Sequence, residues 1–204
     1  MLKDYYLNKW KDKDKLCLSF SFYKCYNIIG DSMNKCIPKM YKKCIFDIDF
    51  DELKDKYGIK VLLFDFDNTI IEKGNYKLSD KTKKFFKKLS NNFIVYIVSN
   101  SFDSKKLGKF SKELDIPYIG ASMKPFSRGF RKIKFKSISN NQIAMIGDQL
   151  LTDVYGGNRM GYYSILVDPI VENTDIVFTK VNRFFENRVF KSEKNKLVRG
   201  KYYD

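Results

Sequence analysis

The stretch Val61-Leu62-Leu63-Phe64-Asp65-Phe66-Asp67-Asn68-Thr69-Ile70-Ile71 constrains the fold of this chain more than any other. Four apolar residues run straight into two carboxylates separated by one phenylalanine. An apolar run this short, bounded by polar sequence, suits a strand buried on both faces of a parallel sheet. Side chains alternate along an extended chain, so Asp65 and Asp67 leave the strand's end on one side and Phe66 on the other. In open α/β sheets, ligands collect beyond the carboxyl ends of the strands. Two acids held this close repel unless a cation or a shared proton relieves them. With oxygen ligands the natural cation is Mg2+. The stretch therefore predicts a metal-assisted site at the end of the first core strand. The acid pair alone is a weak signal, because the chain has 24 Asp and Glu and paired acids are ordinary in solvated loops.

The pattern that follows gives the pair a setting. Residues 38–57 lead into the core, with a short helix near Asp51–Lys54 stopped by Gly58. Residues 79–89 read as a helix with few apolar positions (Phe85, Phe86, Leu89) and a solvated lysine face. Residues 93–98 form a second buried strand that runs into Ser99-Asn100-Ser101. A helix over 104–114 carries Leu107, Phe110 and Leu114 on one face. A short third strand at 117–120 leads to Met123-Lys124-Pro125 and a basic helix near 129–135. A fourth strand at 142–146 ends in Gly147-Asp148-Gln149-Leu150-Leu151-Thr152-Asp153, a helix runs to about Met160, and 164–167 is a fifth strand. Strands alternating with helices predict a five-stranded, mostly parallel sheet covered on both faces, a three-layer α/β sandwich.

The composition removes several chemistries. There is no histidine, which excludes Ser-His-Asp and Cys-His catalysis and His-ligated zinc. Acid–base work then falls to carboxylates, Lys, Tyr or Cys. The cysteines, Cys17, Cys25, Cys36 and Cys44, form no Cys-x-x-Cys pair. None has the arginine six positions on that cysteine phosphatases require. They read as ordinary thiols, with a metal site built from all four as the minor alternative. The formal charge is +15. It admits an anionic partner (nucleic acid, a membrane surface, a phosphorylated substrate) or simply a composition rich in Lys, Asn, Ile, Phe and Tyr.

Four polar groups thus stand at the carboxyl ends of four successive strands: Asp65 with Asp67, Ser99, Lys124, and Asp148 with Asp153. This order resembles the haloacid dehalogenase superfamily, whose motifs are DxDxT, a Ser or Thr after the second strand, a Lys, and GDxxxxD. The wording DFDNTI, KP and GDQLLTDVYGGNRMG resembles the type III, YqeG-like phosphatases, a group that includes phosphatidylglycerophosphate phosphatases. The resemblance covers about residues 38–190. It implies a Rossmannoid sandwich and a Mg2+-dependent phosphomonoester hydrolase working through an aspartyl-phosphate.

The resemblance also implies roles. Asp65 corresponds to the nucleophile. Asp67 corresponds to the acid and base that protonates the leaving alkoxide and then deprotonates water. The Asp65 carboxylate, the Asp67 carbonyl and Asp148 would hold Mg2+, with Asp153 supporting that shell. Ser99, with Asn100 and the loop amides, would bind the phosphoryl group, and Lys124 would offset the negative charge. Thr69 is either a further substrate contact or, more simply, a cap that holds the loop with Asn68. Gly156-Gly157 reads as a close-packing turn, since no GxGxxG is present.

Cap domains in this superfamily are inserted between the positions of Asp67 and Ser99 or of Ser99 and Lys124, and neither interval has room for one. No cap domain is therefore expected, and an open site suits phosphate on a bulky carrier. The first expectation is a phosphatidylglycerophosphate phosphatase of phospholipid synthesis. The alternatives are a phosphatase of nucleic-acid ends or nucleotides, or a basic RNA- or ribosome-associated protein.

The division expected is an extension at 1–37, the phosphatase domain at 38–190 and a basic tail at 191–204. The extension carries Trp10 and an alternating run at 16–22, read as an interfacial membrane patch or a loose segment. Met33 is a plausible start. A stripe of Phe178, Val181, Phe185 and Val189 reads as a last helix on the sheet, and the lysine-rich tail reads as unstructured. No signal peptide or membrane span is visible, so the expected place is the cytoplasm, peripheral to the inner face of an anionic membrane.

Overall fold

The run Val61–Phe64 does form a central strand, and five others align beside it. They are β1 (Met40–Lys42), β2 (Val61–Phe64), β3 (Ile94–Val98), β4 (Tyr118–Ile119), β5 (Ile143–Gly147) and β6 (Tyr163–Val167). In this computed structural model they make one sheet in the order β1-β6-β5-β2-β3-β4, every neighbouring pair parallel. The described residues are 33–130, 133, 135, 137–171, 197, 198 and 200–204. The chain divides into two units, Met1–Asn34 and Lys35–Asp204, and the sheet belongs to the second. Trp10, the run at 16–22, Cys17, Cys25 and the stripe Phe178, Val181, Phe185, Val189 lie outside the described residues. Among the described residues, Cys36 and Cys44 form no disulfide.

The sheet has six strands where the sequence predicts five. The addition is β1, a strand of three residues beside β6, with Met40 opposite Ile165. It lacks an apolar run long enough to announce it. β2 is central: Val61 faces Ile94 on one side and Ile143 on the other. Its side chains alternate as extended geometry requires. Leu62 and Phe64 join Phe86, Phe93 and Phe110 on one face, beneath α1 (Phe50–Asp55), α2 (Asp80–Ser90) and α3 (Ser104–Leu114). Val61 and Leu63 join Met145, Phe130 and Tyr162 on the other, with α4 (Ser127–Phe130) and α5 (Tyr155–Met160). Phe66 continues into the first face and Asp65 turns away from it, as the alternation predicts, whereas Asp67, beyond the end of the strand, turns back to Lys106 of α3.

Three helices start on a side-chain cap. Asp49 accepts from the Glu52 N–H, Ser79 from Thr82 and Asp103 from Lys106. Each such cap contributes about 0.5–2 kcal/mol. The segment before α5, Leu150–Val154, winds as a π-type turn, with the Val154 N–H reaching back to the Gln149 carbonyl at 3.3 Å. Gly157 lets α5 lie on the sheet: a Cβ there would stand 3.0 Å from the Met145 Cβ.

The end of the chain is not loose where it is described. Tyr203 pairs antiparallel with Tyr41, the two exchanging N–H···O bonds of 2.9 Å. The Tyr203 hydroxyl donates to the Pro38 carbonyl at 2.9 Å, the Tyr202 hydroxyl donates to Asp168 at 2.6 Å, and Leu197 is buried. The expectation of an unstructured tail is therefore corrected for these residues. The cause is β1, an edge strand with open backbone groups, which takes the last residues as a cover. Among the described residues, no helix is long and apolar enough to cross a membrane.

Candidate active site

The strand order reverses direction at β2: β3 and β4 lie to one side, β5 and β6 to the other. That reversal opens a crevice beyond the carboxyl ends of β2 and β5. Asp65 stands in it, its N–H extending the ladder to the Ile146 carbonyl at 2.8 Å. Asp148 follows Gly147 at the end of β5. The two acids therefore meet because their strands are neighbours, although they are far apart in sequence.

Lys124 lies between the carboxylates. Its ammonium donates to Asp65 Oδ1 at 2.6 Å and to Asp153 Oδ1 at 2.7 Å. The second oxygen of Asp153 accepts from the Gln149 N–H at 3.1 Å. Asp148 accepts the Thr69 hydroxyl at 3.0 Å. One oxygen each from Asp65, Asp148 and Asp153 lies within 4.8 Å of the others, and all three residues are buried. Gly147 makes the approach possible: a Cβ there would fall 2.2 Å from Asp153 Oδ2.

Burial dominates the electrostatics. It pushes the Asp65 carboxyl up to about 6, the nearby Lys124 charge opposing and Asp153 adding. Burial, then the charges of Asp65 and Asp153, raise Asp148 well above the usual carboxylate range. Burial alone would lower Lys124, but Asp153 and Asp65 outweigh it and hold the ammonium protonated, above its ordinary value.

Asp67 is half-buried and points elsewhere. Its Oδ1 takes the Lys106 ammonium at 2.7 Å. Lys106 is itself buried, and its ammonium also lies 5.3 Å from the centre of the Tyr76 ring. Three of the four carboxylates, Asp67, Asp65 and Asp153, are thus met by two ammonium groups, while Asp148 takes the Thr69 hydroxyl. With all four acids ionised the remainder is two negative charges, that of one divalent cation. An all-oxygen donor set of this kind fits a hard cation such as Mg2+ or Ca2+ and not zinc.

The loops explain the remaining residues named from sequence. Asn68 takes a left-handed backbone, φ 65°, and its side-chain oxygen accepts from the Lys73 N–H at 3.1 Å. It shapes the turn after Asp67, as expected. Thr69 does more than cap a loop, since its hydroxyl is spent on Asp148. Ser99 is buried at the end of β3, and its hydroxyl oxygen accepts from the Ser101 N–H at 3.1 Å. The register that sets Phe64 opposite Ile97 brings Ser99 to the same end of the sheet as Asp65. Asn100 is bound to the Lys124 loop: its oxygen accepts from the Lys124 N–H at 2.7 Å and the Ser122 hydroxyl at 2.8 Å, and its nitrogen donates to the Lys124 carbonyl at 3.0 Å. These bonds hold the Lys124 loop, and Asn100 stays exposed at the end of β3.

Sequence reasoning missed Lys106. A signal was present. Lys106 is four residues before Phe110 and adjoins Leu107, so it sits on the apolar stripe of α3, where a cation needs a partner.

These positions can be compared with known proteins. Residues 24–172 match the family described as mitochondrial PGP phosphatase. The probable phosphatase YqeG of Bacillus subtilis (strain 168) is 35% identical over 162 residues, spanning 78% of this chain and 92% of that protein. Among solved structures, the putative HAD-hydrolase YfnB of Bacillus subtilis, bound to magnesium, superposes with a TM-score of 0.43 and 14% identity, over 61% of this chain and 99% of that one.

Proposed function

The chain belongs to the mitochondrial PGP phosphatase family of the haloacid dehalogenase superfamily and is a phosphatase of that type; on that premise we propose that it is a Mg2+-dependent hydrolase of a lipid phosphomonoester, phosphatidylglycerophosphate. The observation that carries the reading is the buried group of Asp65, Lys124, Asp153 and Asp148 at the ends of β2 and β5. A nucleophilic carboxylate, a cation to screen it and an oxygen cage for a metal are the parts that phosphoryl transfer needs.

Asp65 attacks phosphorus in line with the leaving alkoxide, and the new O–P bond forms as the ester O–P bond breaks, giving an aspartyl-phosphate. Asp67 protonates the leaving oxygen, then takes a proton from the water that cleaves the acyl-phosphate. For this it must leave Lys106, whose ammonium keeps the carboxyl oriented in the free enzyme. Lys124 offsets negative charge beside the nucleophile, and the Ser99 hydroxyl donates to a phosphoryl oxygen. Asp65, the Asp67 carbonyl and Asp148 would hold Mg2+, with Asp153 behind them. The ion neutralises phosphoryl charge when bound.

The lipid is favoured over small metabolites because, among the described residues, little secondary structure is inserted around the site. Residues 65–79 hold no helix or strand, and 99–124 hold only α3 and β4. A phosphate carried on a bulky group can enter such a site from outside. The enzyme would then work peripherally at a membrane surface.

The test is Mg2+-dependent phosphate release from phosphatidylglycerophosphate, from 3′- and 5′-phosphorylated oligonucleotides and from nucleotides. The lipid should be preferred, EDTA should stop turnover and Mg2+ should restore it. Asp65→Asn should abolish release while the fold persists. Activity within about tenfold of the parent, a barrier change near 1.4 kcal/mol, would remove Asp65 from the nucleophile role. Preference for the oligonucleotides would move the substrate to nucleic-acid ends.

A further inference from the structure

Single exposed apolar side chains are ordinary on a protein surface; clustered ones mark an interaction site. Among the described residues, four of the seven large exposed hydrophobics gather at the mouth of the site: Tyr76 at 56%, Phe102 at 63%, Ile170 at 50% and Val171 at 42%. Tyr76 and Ile170 are joined to the neighbourhood of Asp67 by contacts, Phe102 and Val171 by their places in the chain. Tyr76 stands over the Lys106 ammonium that binds Asp67. Phe102 directly precedes the cap of α3, one turn ahead of Lys106. Ile170 donates its N–H to the Asn68 carbonyl at 2.9 Å, next to Asp67.

The rim is built, not loose. The Lys109 ammonium donates to the Tyr76 carbonyl at 3.0 Å and ties residues 72–77 to α3. Its charge is positive. Lys73, Lys77, Lys105 and Lys109 are exposed within the same two segments, against the acids Glu72 and Asp103, and Asp103 is already occupied as the cap of α3.

We propose that this rim is the surface on which an anionic lipid bilayer docks. Phe102, Ile170, Val171 and the Tyr76 ring enter the interfacial layer, and the lysines meet the headgroups. Amphipathic aromatic rings and long lysine stems are suited to that boundary. The choice of a bilayer over another partner follows from the charge and from the reading of the substrate as a lipid, on which it rests. Docking here would set the opening beside Asp65 and Asp67 against the headgroup layer, so that a lipid phosphate reaches the site without leaving the membrane. The last residues of the chain are not needed for this, since they are bound to β1.

The chain's one tryptophan is Trp10, so a protein carrying Trp10→Phe and Phe102→Trp reports from the rim alone. With vesicles of phosphatidylglycerol and brominated phosphatidylcholine, its emission should shift to the blue and be quenched. The Phe102→Ser, Ile170→Ser double variant should bind anionic vesicles at least tenfold more weakly and hydrolyse p-nitrophenyl phosphate like the parent. Unquenched emission from the Phe102→Trp protein, or a double variant that pellets like the parent, overturns the proposal. So does a parent dimer that the double variant dissolves, which would assign the rim to a second copy of the chain. Rim-dependent vesicle binding without phosphate release from the lipid ester would support the docking surface while sinking the substrate assignment.

Discussion

At the scale of single residues, Lys124 is the most constrained. It is 3% exposed and bridges two carboxylates that would otherwise face each other across a buried gap. Breaking one side of a buried ion pair is strongly destabilising, about 3–5 kcal/mol, because the partner charge is left uncompensated. Lys124→Ala should therefore cost stability on this scale in EDTA, read by urea unfolding, besides removing activity. A loss below about 1 kcal/mol, the range of an exposed pair, would show that Asp65 and Asp153 do not depend on it. Most of the site was legible because its motifs sit where strands end: Asp65, Asp148, Asp153 and Lys124 meet as their order predicts. What the sequence did not disclose is which polar atom each side chain spends on a neighbour. Thr69 is bound to Asp148, Asn100 to the Lys124 loop and Asp67 to Lys106. These pairings cross long sequence separations that no spacing encodes.

At the scale of elements, the four long strands and all helices but one were readable from periodicity; the helix expected near 129–135 is instead α4, Ser127–Phe130, and Ile133 and Phe135 lie outside it. The two-residue β4 was also foreseen, within 117–120, but β1 and the turn before α5 were not. β1 has three residues, too few for alternation to show. The π-type turn at Leu150–Val154 has the same apolar content as the helix it precedes, and only its backbone geometry sets it apart. α4 is a further case, because one glycine governs its position. A Cβ on Gly129 would fall 2.0 Å from the Ser122 carbonyl oxygen, which is backbone and cannot swing aside. The same Ser122 binds Asn100, and Asn100 binds Lys124. Gly129→Ala should therefore push α4 away from the loop and disturb Lys124. The expected cost is about 1–3 kcal/mol, the scale of overpacking, with turnover of a soluble phosphate ester lowered at least tenfold. Unchanged turnover beside a lowered melting temperature would separate the loop from the site and refute the coupling.

At the scale of the whole molecule, the charge of +15 and the lysine-rich end suggested a loose basic tail serving a membrane. The described end of the chain instead covers an exposed sheet edge. Net charge speaks to partners and solubility, not to whether a segment packs. The packing rests on Tyr41, Tyr202, Tyr203 and Leu197, which no local pattern brings together. Deleting residues 200–204 removes two backbone hydrogen bonds and the hydroxyl bonds of Tyr202 and Tyr203, each a net contribution of about 1 kcal/mol, and two ring contacts at about 0.5–1.5 kcal/mol each. The expected loss is about 5–7 kcal/mol at most, read as a fall of many degrees in melting temperature.

The clamp should also have an alkaline limit. The Tyr41 hydroxyl donates to Asp168 at 2.5 Å, and burial together with that bond raises its pKa above the ordinary value of 10.0. A raised pKa means the folded chain holds the proton more tightly than the unfolded one. Stability from this bond is then complete below about pH 10 and is lost as pH rises through the raised value. Melting curves between about pH 8 and about pH 12 should draw together for the parent and a Tyr41→Phe variant, the parent's advantage shrinking steadily above about pH 10. A constant gap across that range would show that the Tyr41–Asp168 bond, which ties β1 to the residue after β6, does not add to the stability of this edge of the sheet.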